Sequence, residues 1–85
     1  MDYFYMVVHV YIDDTGKFCG EILFYYDVDG ETSARNKAES KFHEILSEGA
    51  VSKSLYCGAS VKHSDGTIIK PFEFYDRRPV HQDAA

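Results

Sequence analysis

Apolar and polar positions alternate with period two in four stretches of this chain and with a helical period in a fifth. From Tyr3 to Ile12 there is no breaker, and aromatic and β-branched residues dominate, so this stretch reads as a strand. Phe4, Met6, Val8, Val10 and Ile12 share one side; Tyr3, Tyr5, Val7, His9 and Tyr11 share the other. The wholly apolar even set is the expected core face, and the tyrosine-rich odd set the expected open face. Asp13-Asp14-Thr15-Gly16 supplies the turn into a second strand, Lys17 to Val28. Phe18, Ile22, Phe24, Tyr26 and Val28 lie on its expected inner side, with Gly20 in the row; Cys19, Glu21, Leu23, Tyr25 and Asp27 lie on the other.

The period then changes. Ala34, Ala38, Phe42, Ile45 and Leu46 form one stripe of a helix from Ser33 to Glu48. Thr32 or Ser33 is the expected N-cap and Gly49 the expected left-handed stop. A third strand, Ser52 to His63, turns inward Leu55, Cys57, Ala59 and Val61, whose small members let a helix approach, and turns Tyr56 outward. After Ser64-Asp65-Gly66 a fourth strand runs from Thr67 to Tyr75, with Ile68, Phe72 and Phe74 expected inside and Ile69 and Tyr75 outside. Pro71 lacks the N–H that a central strand needs, which marks an edge strand, bulged at that point.

The order ββαββ predicts an α+β domain: a four-stranded antiparallel sheet with one helix packed on one face. The simplest strand order is 2-1-3-4, with split-βαβ interleaving as the competitor. Residues 1–76 form the expected single domain and 77–85 a flexible C-terminal tail.

Composition narrows the function classes. The 85 residues are 45% hydrophobic and 15% aromatic, with seven Tyr and six Phe, which excludes a disordered chain. Fourteen acidic residues against nine basic ones, a net charge of −5, argue against a phosphate-backbone binder. No apolar run approaches the roughly 20 residues of a membrane span. The opening Met1-Asp2-Tyr3 lacks a basic leader, so a cytoplasmic protein with reduced Cys19 and Cys57 is expected.

No chemical motif stands out. His9, His43, His63 and His81 and the two cysteines fall in no metal-ligand spacing, so neither metal nor cofactor is expected. Cys57 reads as core packing, and Cys19 has only Lys17 nearby in sequence to activate it. His9 reads as a packed histidine on the tyrosine-rich face, able to serve as a pH-sensitive contact. What remains is that face, too apolar for a monomer to leave wet. The expected function is therefore a non-enzymatic protein–protein interaction module, a homodimer built through the open face or an edge strand. Its contact residues are Tyr3, Tyr5, His9, Tyr11, Leu23, Tyr25, Tyr56 and Tyr75. Two alternatives are an acidic inhibitor of a nucleic-acid-processing enzyme and a small ligand-binding or enzymatic dimer of ferredoxin-like type.

The helix run Ala38-Glu39-Ser40-Lys41-Phe42-His43-Glu44-Ile45-Leu46, the first-strand run Tyr3 to Ile12 and the hairpin Val61 to Thr67 together resemble small uncharacterised ββαββ proteins of Gram-positive bacteria, their phages and mobile elements. The resemblance covers most of the chain and is one of packing pattern. It implies the fold and a dimer, and the mobile-element setting is what suggests an inhibitor of the anti-restriction or anti-CRISPR kind. It carries no site residues.

Overall fold

The structure, a computed structural model, describes residues 4–26, 30–52 and 54–79. Four strands and one helix follow in the order β1 (Phe4–Ile12), β2 (Phe18–Tyr26), α1 (Glu31–Ser52), β3 (Tyr56–His63) and β4 (Ile68–Asp76). All neighbouring strands are antiparallel, in the order β2-β1-β3-β4. The ββαββ architecture is thus the one the alternation predicts.

Both hairpin turns are built by an aspartate. The Asp13 carboxylate accepts from the Thr15 amide at 2.9 Å, the Thr15 hydroxyl at 2.6 Å and the Lys17 amide at 3.0 Å, and Gly16 follows with φ 84°. The Asp65 carboxylate accepts from the Thr67 amide at 2.8 Å, beside Gly66 with φ 96°. A short acceptor side chain and a left-handed glycine are what such turns require.

The helix is longer than the Ser33–Glu48 expected. It begins at Glu31, because the Gly30 carbonyl already accepts from the Ser33 and Ala34 amides, so neither Thr32 nor Ser33 is the cap. It also runs straight through Gly49. That glycine is buried, and a Cβ placed on it would lie 2.7 Å from Cys57 Sγ. Its role is close approach to β3 rather than helix termination. The helix ends against Arg77, whose guanidinium donates to the carbonyls of Gly49 (2.9 Å), Ser54 (3.1 Å) and Ala50 (3.4 Å). These include carbonyls at the helix end that have no intrahelical partner. Arg78 is likewise held, by the Asp76 carboxylate at 2.7 Å. Arg77 and Arg78, at the start of the expected tail, are thus hydrogen-bonded; of that tail, 80–85 lie outside the described residues.

The core corrects the assignment of faces. Tyr5 (1% exposed), Val7, Cys57, Ala59 and Val61 are buried beneath Ala34, Ala38, Phe42 and Ile45 of the helix, with Leu23, Tyr25, Leu46 and Ile69 packed around them. The helix thus covers the odd side of β1, the one expected to be open. The reason is register. Val7 pairs with Val61, His9 with Ala59 and Tyr11 with Cys57, so the odd set shares a side with the small residues of β3. On the other side of β3 the Phe72 ring already fills the space over Gly58. Phe18, Ile22, Phe24, Ile68, Phe72 and Phe74, all expected inside, are exposed instead. Leu55, expected in the β3 core set, precedes the strand and is exposed too.

In β4 the pairing with β3 shifts register on either side of Val61, around Pro71. This is the bulged edge strand that the proline predicts. The shift puts Lys70 opposite Val61 on the helix side, where its ammonium lies 3.6 Å from the Glu39 carboxylate.

Candidate interaction face

The uncovered side of the sheet carries Phe4, Met6, Val8, Val10 and Ile12 from β1, between two edge strands of large apolar residues. On β2 these are Phe18, Ile22, Phe24 and Tyr26, and on β4 Ile68, Phe72 and Phe74; each keeps between 42% and 61% of its surface exposed. Two ring clusters mark opposite ends. At one, Phe4 meets Phe24 edge-on at 5.5 Å and Tyr26 at 5.4 Å. At the other, Phe18 meets Tyr56 at 5.4 Å, Tyr56 stacks on Phe74 at 5.6 Å, and Phe74 on Phe72 at 5.8 Å. Phe72 lies directly over Gly58, which leaves no space for a Cβ there.

Such ring pairs are the preferred offset and edge-to-face arrangements, worth about 0.5–1.5 kcal/mol each beyond the area they bury. They fix the relief of the face before any partner arrives. The Arg78 guanidinium closes one end, 5.2 Å from the Phe18 ring centre and 5.3 Å from that of Tyr56. It is held there by the Asp76 carboxylate, whose pKa it lowers to about 2, chiefly through their side-chain hydrogen bond. By register, the charges on this side among the described residues are Lys62 and this Asp76–Arg78 pair at the rim. The acidic side chains Glu31, Glu39, Glu44 and Glu48 belong to the helix, on the opposite side of the sheet.

Of the contact residues expected from the alternation, only Tyr56 lies on this face. Tyr5 is in the core, its hydroxyl donating to the Glu31 carboxylate at 3.0 Å, and its ring is out of a partner's reach. His9, Tyr11, Leu23 and Tyr25 are on the helix side, half-buried. Tyr75 is on that side too, 3.8 Å from where a Gly49 Cβ would lie, with the Arg77 guanidinium 5.2 Å from its ring centre. Tyr3 lies outside the described residues. The residues missed, on β2 and β4, carry a signal that was available: the two edge strands set their large rings on the same side as the even residues of β1.

The helix side has chemistry of its own. His9 Nδ1 lies 3.0 Å from Glu21 Oε1, and His9 Nε2 lies 3.8 Å from Cys57 Sγ. The three strands β2, β1 and β3 thus bring a carboxylate, an imidazole and a thiol into one row. Cys19 is elsewhere, its thiol 3.4 Å from the Asp13 carboxylate, and burial and that carboxylate both push its pKa up. Among the described residues no group of three or more His, Cys, Asp and Glu side chains is placed to hold a metal ion, and no helix is long and apolar enough to cross a membrane. No family model, no curated protein and no solved structure matches this chain.

Proposed function

We propose that this chain is a protein–protein interaction module that pairs with a second copy of itself, open face to open face. The observation that supports this reading is the apolar side of the sheet, flanked by seven half-exposed large side chains on its two edge strands. Four strands spaced about 4.8 Å apart, three of nine residues and one of eight, at about 3.3 Å each, present roughly 550 Å² in projection. A ridged aromatic surface has more accessible area than its projection. That brings it to the scale of the roughly 800 Å² per partner that stable complexes bury.

Charge favours a second copy as the occupant. The chain carries −5, yet the charges of the helix, four acidic and three basic, lie on the side of the sheet away from the open face. Pairing through that face buries little charge and keeps the two charged helices on the outside of the dimer. The product is a four-layer sandwich, helix–sheet–sheet–helix, with the sheets about 10 Å apart.

The test is sedimentation velocity or light scattering over a concentration series. Wild type is expected to be dimeric at micromolar concentration, and Ile22→Lys and Ile68→Lys, one on each edge strand, to be folded monomers. A wild type that stays monomeric well above that range, or variants that dimerise as wild type does, overturns the reading.

A further inference from the structure

The row of Glu21, His9 and Cys57 lies beneath the C-terminal half of α1 and plays no part in the open face. An ionised Glu21 can only accept, so Nδ1 of His9 carries the hydrogen of their 3.0 Å contact. The neutral ring then has its lone pair on Nε2, the atom that faces Cys57 Sγ at 3.8 Å. The thiol has a second acceptor within reach, the Ile45 carbonyl of α1 at 3.6 Å. A nucleophile, a base in contact with it and a third group orienting the base are the parts of an activated thiol, and such contacts are often loose before a substrate binds.

These groups also share a space. His9 and Cys57 line a cleft of about 170 Å³ with Tyr11, Glu48, Ser52 and Ser54. At about 30 Å³ per water molecule, it has room for a ligand of a few heavy atoms. Gly49 forms part of its wall, and any side chain there would press on the sulfur, since even a Cβ would lie 2.7 Å from Sγ.

We propose that Cys57, His9 and Glu21 form a proton relay that makes the Cys57 thiol a nucleophile towards small uncharged electrophiles entering this cleft. His9 Nε2 takes the thiol proton as the sulfur attacks the electrophilic carbon. The leaving group departs with its bonding pair, and Glu21 holds the imidazolium until the proton passes to solvent. With iodoacetamide, the S–C bond forms, the C–I bond breaks, and iodide and a proton are released.

Burial pushes the Cys57 thiol up; the Arg77 charge opposes this and the Glu48 charge adds to it. A standing thiolate is therefore disfavoured, and the proton has to leave as the bond forms, which requires a base in contact. Glu48 at the cleft also disfavours anionic reagents. Among the described residues Cys19 has no imidazole in contact, and it serves as an internal contrast.

The experiment uses the full chain carrying Cys19→Ser, so that Cys57 is the sole thiol. Labelling by iodoacetamide is followed by mass spectrometry from about pH 5 to about pH 9, spanning the imidazole range near 6.5. Among the described residues, the charged and titratable groups around His9 and Cys57 are Glu21 from β2, Tyr11 from β1, Glu48 from α1, Glu73 and Tyr75 from β4, and Arg77 after it.

The expected profile rises through an inflection in the imidazole range. His9→Gln removes that inflection and slows labelling at neutral pH by about tenfold to a hundredfold, at or below the low end of what a positioned base supplies. Glu21→Gln, an exposed substitution that leaves the core intact, slows labelling at neutral pH by less than His9→Gln does. Iodoacetate labels more slowly than iodoacetamide, by a larger ratio than in the urea-unfolded chain. A folded wild type that is not labelled overturns the proposal, as does a rate that follows simple thiol ionisation or a rate unmoved by Glu21→Gln. The open-face variant Ile22→Lys is expected to keep wild-type labelling, so failure of the dimer and failure of the relay are separable.

Discussion

On the helix side of the sheet, side chains as large as Tyr5 and as small as Ala59 are sealed to 1% exposure or less; on the open side, Phe24 and Phe74 keep about half their surface in water. Both sides are apolar, so hydrophobicity did not decide which one the helix covers. Space did. Ala34, Ala38 and Gly49 on α1 face Cys57, Ala59 and Val61 on β3, and small residues on both partners let the backbones approach. The rings of β2 and β4 on the other side would hold a helix away. One face is thus packed by fit within the chain, and the other has area that nothing among the described residues matches.

The largest expected effect lies in the packed face. Phe42→Ala removes the helix's one large buried ring and should cost about 3–5 kcal/mol, read from urea unfolding at fixed protein concentration. Gly49→Ala comes next, at about 1–3 kcal/mol, because the new Cβ meets Cys57 Sγ at 2.7 Å and Cβ at 2.8 Å. Adding Cys57→Ala should recover part of that loss, since it removes the nearer atom. Full recovery would mean that the Cys57 Cβ contact is harmless, and no recovery that the backbone sets the spacing.

The open face should respond in the opposite sense. Ile22→Lys is expected to cost the isolated chain about 1 kcal/mol, as the side chain is 51% exposed, yet to abolish association. Mass action makes the signature plain: the melting temperature of wild type rises with protein concentration and that of the variant does not. Equal concentration dependence in both would erase the contrast between the faces.

The smallest effect belongs to a turn outside both. The Asp13 carboxyl is held down at about 2 from 3.8, first by the Thr15 hydroxyl and then by the Lys17 amide. A folded-state value below the unfolded one stabilises the fold above about pH 4, and the contribution is lost as pH falls through about 2. Asp13→Asn should therefore flatten, without abolishing, the acid limb of unfolding followed by circular dichroism. Asp76, lowered in the same way by Arg78, still titrates in that window.

Much of this was legible along the chain. The five elements, the aspartate–glycine turns and the bulge at Pro71 each depend on residues close in sequence, and the alternation shows them. The Ala34–Ala38–Phe42–Ile45 stripe was legible for the same reason. Of the candidate site, that its rings share a side was legible; that this side stays open was not: Phe18, Phe24, Phe72 and Phe74 read as core because they are large and apolar, whereas burial depends on what lies opposite. Arg77 read as tail because its acceptors, the carbonyls of Gly49, Ala50 and Ser54, are more than 20 residues away. The His9–Cys57 contact spans 48 residues and has no local signature.

Local pattern, then, determined that the chain makes two hairpins around one amphipathic helix, because periodicity and turn chemistry act over a few residues. Tertiary structure alone decided which side of the sheet the helix covers. The β1–β3 register sets Val7, His9 and Tyr11 beside Val61, Ala59 and Cys57, and a helix can close only on the side where both surfaces are shallow enough to touch.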